Sequence, residues 1–156
     1  MTSWLLDTNI VSQFAPMADG RLRADMRLTE WIQQNQNILF LSVITVVEIT
    51  AGIEKLRRAG STRRVPILEK WFGGMTDLYG ERILPVDTKV GRIAGILTDQ
   101  AYADGISPGV SDILIAATAS AHGHGLLTGN IKHFEPLRLG VPLLNPLAQV
   151  PADPDS

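Results

Sequence analysis

The stretch Val110-Ser111-Asp112-Ile113-Leu114-Ile115-Ala116-Ala117-Thr118-Ala119 decides how the chain is read, because it sets one carboxylate at the head of an otherwise apolar, small-residue helix. Ile113, Leu114 and Ile115 give hydrophobic mass, and the alanines let a neighbouring backbone come close. Such a helix belongs in an interior, with Ser111 as its N-cap. Two further acids stand in apolar surroundings: Asp7 in Trp4-Leu5-Leu6-Asp7-Thr8-Asn9, and Glu48 in Val46-Val47-Glu48-Ile49. Carboxylates are rarely buried unless paired or bound to a metal, so these three ask for a common explanation.

Outward from that helix, apolar strand-like runs at residues 3–6, 38–42, 82–86, 126–128 and 141–144 alternate with helical patterns. A helix opens at Asp7-Thr8-Asn9 and carries Ile10, Val11 and Phe14. Residues 23–34 form an amphipathic helix with Met26, Trp31 and Ile32 on its apolar face. Thr45 opens a helix that runs to Gly60, and residues 63–79 form another, with a bend at Gly73-Gly74. Asp87 caps a helix over residues 89–103, and a helical turn covers 131–134. Strands alternating with helices predict an α/β fold around a mostly parallel sheet with right-handed crossovers. Residues 1–148 are read as one domain and 149–156 as a disordered C-terminal tail. In such sheets the functional crevice lies beyond the carboxyl ends of the strands, where Asp7, Glu48, Asp112 and Asn130 can converge.

The bulk composition narrows the function. With 14 Lys and Arg against 16 Asp and Glu, the net charge of −2 excludes a protein that coats nucleic acid by overall attraction. Any nucleic-acid contact must be local. The absence of cysteine excludes disulfides, thiolate metal sites and a cysteine nucleophile. Asp7 arrives before a signal-peptide core could form, and the apolar run 38–53 contains Glu48 and is too short for a bilayer. The expectation is a cytoplasmic protein without membrane attachment.

Each acid also has a local structural explanation. Asp7 suits an N-cap, Thr45-x-x-Glu48 matches a capping box, and Asp112 suits the first turn of a helix dipole. Jointly they require more. Three acids and an amide at one sheet edge repel one another unless a cation holds them ionised. Oxygen-only ligands favour Mg²⁺ or Mn²⁺, which retain waters and leave room for a phosphate oxygen.

Leu5-Leu6-Asp7-Thr8-Asn9, Val47-Glu48-Ile49, Ser111-Asp112-Ile113-Leu114-Ile115-Ala116-Ala117, Leu127-Thr128-Gly129-Asn130 and Leu144-Asn145-Pro146 resemble, in order and spacing, the PIN-domain ribonucleases. More narrowly, the chain resembles the VapC and FitB-type toxins of bacterial toxin–antitoxin pairs. The resemblance implies a PIN-like three-layer fold with a five-stranded sheet flanked by helices, and a homodimer. It also implies a small VapB- or FitA-like antitoxin and Mg²⁺- or Mn²⁺-dependent endoribonuclease activity, in which a metal-activated water hydrolyses RNA phosphodiesters. On that resemblance Asp7, Glu48 and Asp112 are the metal-binding acids and catalytic residues, with Asn130 where many relatives place a fourth acid. Thr8 and Asn9 would steady Asp7 or the substrate, and Thr128 the Asn130 corner. Gly129 stands where similar toxins often carry Arg, and His133 where they often carry Asp.

Lys55, Arg57, Arg58, Arg63 and Arg64 form the densest basic cluster. It reads either as a solvated helix end or, through the four arginines, as an RNA or antitoxin contact. His122 and His124 fall on different faces of a helix and lack the ligand set of a zinc site. Trp4, Trp31 and Trp71 read as packing residues. Two other functions stay open: a non-catalytic PIN-like protein-binding module, and a phosphohydrolase with Asp7 as nucleophile. The second lacks its usual second aspartate, because residue 9 is Asn.

Overall fold

The computed structural model describes residues 2–153. Five short strands, β1 (Trp4–Leu6), β2 (Leu39–Ser42), β3 (Ile83–Leu84), β4 (Gly125–Leu127) and β5 (Leu143–Leu144), form one sheet in the order β3-β2-β1-β4-β5. Every pairing is parallel. Period-two alternation divides β1 between the two faces. Trp4 and Leu6 enter one core with α1 (Thr8–Ser12), α2 (Met26–Gln34), α3 (Val43–Arg58) and α4 (Arg64–Tyr79). Leu5 enters the other with α5 (Thr88–Ala103), α6 (Val110–His122) and α7 (Ile131–Phe134). The result is a helix–sheet–helix sandwich. In α6, Ala116, Ala117 and Ala119 are fully buried, which lets this helix lie close against its neighbours.

The chain runs outward through β1, β2 and β3, then returns to add β4 and β5 on the other side of β1. That reversal opens a crevice beyond the end of β1, the place where α/β sheets carry their ligands. At the opposite end of the same strand pair, Gly125 lies beside Trp4. A Cβ at position 125 would stand 2.5 Å from Trp4 ring carbons, so the indole fills the space that glycine leaves.

Several local expectations need correction. α6 begins at Val110 after Gly109, whose extended backbone makes it the N-cap, and Ser111 lies inside the first turn. α3 begins at Val43 because the Ser42 hydroxyl accepts from the Ile44 amide at 3.1 Å, so Thr45 opens no capping box. α2 is shorter than residues 23–34, since the Asp25 carboxylate caps Leu28 N at 2.8 Å. Leu28, Trp31 and Ile32 hold its buried face, while Met26 is 78% exposed. α4 passes through Gly73-Gly74 as one helix. The third strand shrinks to two residues, flanked by a 3₁₀ turn over Gly80–Arg82 and by Pro85. Gly123, at φ +66°, ends α6, so His124 leaves the helix and stacks between Phe40 and His122. Trp4 and Trp31 are buried, and Trp71 packs partly exposed against the same core. In the stretch 149–156, Val150 packs on the first core and Pro151 is buried, while 154–156 lie outside the described residues. Among the described residues, no helix is long and apolar enough to cross a membrane.

Candidate active site

The crevice is built on the first residue beyond each of the central strands β1 and β4. Asp7 follows β1 with its amide donating to Leu127 O at 2.9 Å, which continues the β1–β4 ladder by one step. Its carboxylate is 4% exposed and held at both oxygens. Thr8 N donates to Oδ1 at 2.8 Å, and the Thr128 hydroxyl donates to Oδ2 at 2.7 Å. Thr128 Oγ1 in turn accepts from Asn130 N at 2.9 Å. One buried hydroxyl thus ties Asp7 to the turn after β4. Asn9 closes the same corner from the other strand, with Oδ1 accepting from Gly129 N at 3.0 Å.

Glu48 reaches the crevice from the second turn of α3. Thr8 Oγ1 donates to its Oε1 at 2.7 Å, which leaves the Thr45 hydroxyl as donor in the 2.9 Å contact between the two threonines. The order of donation is therefore Thr45 to Thr8 to Glu48. Asp112, in the first turn of α6, is one-third exposed, and its Oδ2 lies 3.3 Å from His133 Nδ1. Asn130 precedes α7 without capping it, so its exposed amide is left to the crevice.

Asp7, Thr8, Asn9, Glu48, Asp112 and Asn130 line one open pocket of about 340 Å³, together with Ser12, Gln13 and Arg23. Burial, first of all, raises the Asp7 pKa above 3.8; donation from Thr128 and Thr8 opposes it, and the Asp112 and Glu48 carboxylates raise it further. Asp7 therefore senses both of the other carboxylates. A cation among them would reverse that penalty. Among the described residues, no three His, Asp or Glu side chains form a ready-made metal cage. The donor set fits a hard ion that takes one or two carboxylates and completes its shell with water, as Mg²⁺ does.

A family model described as PIN domain matches residues 4–135. The chain belongs to the PIN domain family. It is similar to the VapC ribonuclease Y4jK of Sinorhizobium fredii, 32% identical over 91% of this chain and 96% of the relative. Toxin FitB of Neisseria gonorrhoeae is 30% identical, over 83% of this chain and 89% of the relative. The crystal structure of FitAcB from Neisseria gonorrhoeae superposes with a TM-score of 0.75 at 28% identity, covering 92% of this chain and 97% of that one.

On this PIN fold the four residues singled out for the site meet, and the supporting residues divide their tasks differently from expectation. Thr8 steadies Asp7 through its backbone and Glu48 through its hydroxyl. Asn9 holds the Gly129 turn, and Thr128 supports Asp7 as well as the Asn130 corner. The basic cluster is divided between environments: Arg57 is engaged by Glu54 and Glu69, Arg58 and Arg63 are exposed, and Arg64 lines the adjoining pocket. Arg23 was not legible as a site residue, because a charge in a short polar loop reads as solvated. Its place depends on a long-range turn in which Arg23 N donates to Gln13 O at 3.1 Å. His133 at least carried a signal, lying three residues after Asn130 in a helical turn.

Proposed function

We propose that the chain is a divalent-metal-dependent endoribonuclease, the toxin of a type II toxin–antitoxin pair. The observation that carries this is the meeting of Asp7, Glu48, Asp112 and Asn130 in one pocket at the switch point of the sheet. The names of its relatives, a VapC ribonuclease and toxin FitB, point the same way. Asp7 and Asp112 would hold Mg²⁺ or Mn²⁺, with Glu48 as a third ligand or as the base. When bound, such an ion supplies Lewis acidity to a phosphoryl oxygen and offsets developing negative charge.

The chain's own groups supply the rest. Thr8 fixes one oxygen of Glu48, leaving the other to take a proton from the attacking water. The water oxygen bonds to phosphorus as the bond to the 3′-oxygen breaks; that oxygen takes a proton from solvent in the open pocket as it leaves, and Glu48 returns its own proton to solvent. Asn130 offers a neutral amide to a non-bridging phosphate oxygen without adding negative charge to the pocket. Partners follow the same proposal: an RNA substrate and a small antitoxin, the latter supported by similarity to FitB in the FitAcB structure. Homodimer formation is supported by the exposed Ile96 and Tyr102 of α5 and Val110 of α6.

Metal-dependent cleavage of bacterial total RNA tests the assignment. Wild type should cut it, and Asp7→Asn and Asp112→Asn should not. Retained cleavage in either variant rejects the site. A second reading, the non-catalytic binding module, is favoured by the neutral Asn130. Calorimetric titration with Mn²⁺ separates the two. Binding lost in Asp7→Ala supports the enzyme, and no binding by wild type supports the module.

A further inference from the structure

The acidic pocket does not end at Glu48. Thr8, Ser12, Arg23 and Glu48 are shared with a second open pocket of about 240 Å³, which runs along α3 to Arg64 and Trp71 of α4. The two form one groove. Its far half reverses the charge of the near half: Arg23 sits at the junction and Arg64 beyond it. Among the described residues, neither guanidinium has a carboxylate within ion-pair distance. Arg57, by contrast, is already neutralised by Glu54 and Glu69.

Glu48 lines the same groove but makes no ion pair with either arginine, so both guanidiniums are left to meet an anion that enters beyond it. The chain's overall charge of −2 supplies no general attraction for a polyanion, so the attraction has to be concentrated in such a place. Guanidinium groups suit this task because their planar fork matches phosphate oxygens. Past them, the partly exposed face of Trp71 offers a flat apolar surface of the kind on which an unpaired base stacks.

We infer that this continuation past Glu48 is the track for the single-stranded RNA beside the cleaved bond, with Arg23 and Arg64 gripping successive phosphates. It rests on the ribonuclease reading, since the strand must enter the acidic half for the second half to matter. Its direction follows: the scissile phosphate lies over Asp7 and Asp112, and the neighbouring phosphates lie toward α4.

The test is fluorescence anisotropy of a labelled 20-nucleotide oligouridylate on the full chain carrying Asp112→Asn, measured across a salt series. Arg23→Ala and Arg64→Ala should each weaken binding about tenfold. Each should also reduce the log–log salt slope by about 0.7, the share of one phosphate on a single strand. Arg23→Lys should keep the slope and recover part of the affinity, whereas Arg57→Ala should change neither. All these positions are at the surface, and thermal unfolding checks that the variants fold. A chain that cuts total RNA, while both alanine variants bind the oligonucleotide with unaltered affinity and slope, overturns the track and leaves the ribonuclease standing. The groove would then serve a protein partner. A wild type that cuts no RNA in Mg²⁺ or Mn²⁺ rejects the ribonuclease itself, whatever the arginines do.

Discussion

Asp7 and Asp112 bring the same functional group into the same pocket from opposite structural situations. Asp7 is 4% exposed, with each oxygen fixed by a donor at 2.8 Å or less. Asp112 is about one-third exposed, with His133 Nδ1 lying 3.3 Å from its Oδ2. Asp7 belongs to the floor, where β1 and β4 determine every position. Asp112 belongs to the rim, where a side chain can turn to meet a ligand. The difference separates two requirements of a phosphodiester site: one group that does not move, and others that adapt as ion and strand arrive.

The largest expected effect lies at the floor. Asp7→Asn should reduce metal-dependent RNA cleavage about a hundredfold or more, exceeding the loss from Asp112→Asn, as measured by single-turnover rates. Equal losses would erase the distinction between floor and rim. Next comes Thr128→Val, which keeps the shape but removes the donor to Asp7 Oδ2 and the acceptor for Asn130 N. It should lower Mn²⁺ affinity about tenfold to a hundredfold, by calorimetry. It should also cost about 1–3 kcal/mol of stability in urea titration, because a buried acceptor and an amide lose partners. An unchanged affinity would show that Asp7 needs no orientation.

A smaller effect is the pH dependence of the metal-free chain. Burial, chiefly, lifts the folded-state pKa of Asp7 above 3.8, so the folded state binds that proton more tightly than the unfolded one. The resulting stabilisation is complete below 3.8 and is lost as pH rises through the lifted value. In chelator, wild type should therefore lose melting temperature relative to Asp7→Asn across that interval. Saturating Mg²⁺ should remove the deficit. Parallel melting curves without metal would mean that the buried charge costs the fold nothing. The smallest effect is expected at the rim: His133→Ala should change cleavage a few-fold and stability by no more than about 0.5 kcal/mol. A loss as large as that of Thr128→Val would move His133 from the rim to the floor.

What could be read from the chain was set by how local each signal is. β1 announces itself because Trp4-Leu5-Leu6 is buried on both faces and ends at a carboxylate that caps the next helix. Glu48 and Asp112 stand out for the same reason, as charges within apolar runs. Helix starts were less legible. Ser42 and Gly109 take the capping roles that Thr45 and Ser111 also fit, and only the backbone distinguishes neighbours of equal propensity. The task of Thr128 depends on strands 121 residues apart becoming adjacent, and that of the Thr8 hydroxyl on α1 meeting α3 40 residues further on; no spacing rule contains either pairing. Arg23 was hidden most completely, because an exposed arginine in a loop has no sequence property that separates groove from open surface.

The indole lying over Gly125 has a consequence at the other end of its strand. Trp4 faces Gly125, Leu5 faces Leu126 and Leu6 faces Leu127, so the next rung sets Asp7 against Thr128. Sliding β4 by one position would drive a leucine side chain into the ring and carry the threonine hydroxyl out of reach of the acid. The bulky residue at the start of β1 thus works as an index mark, and the chemistry at its end inherits the alignment.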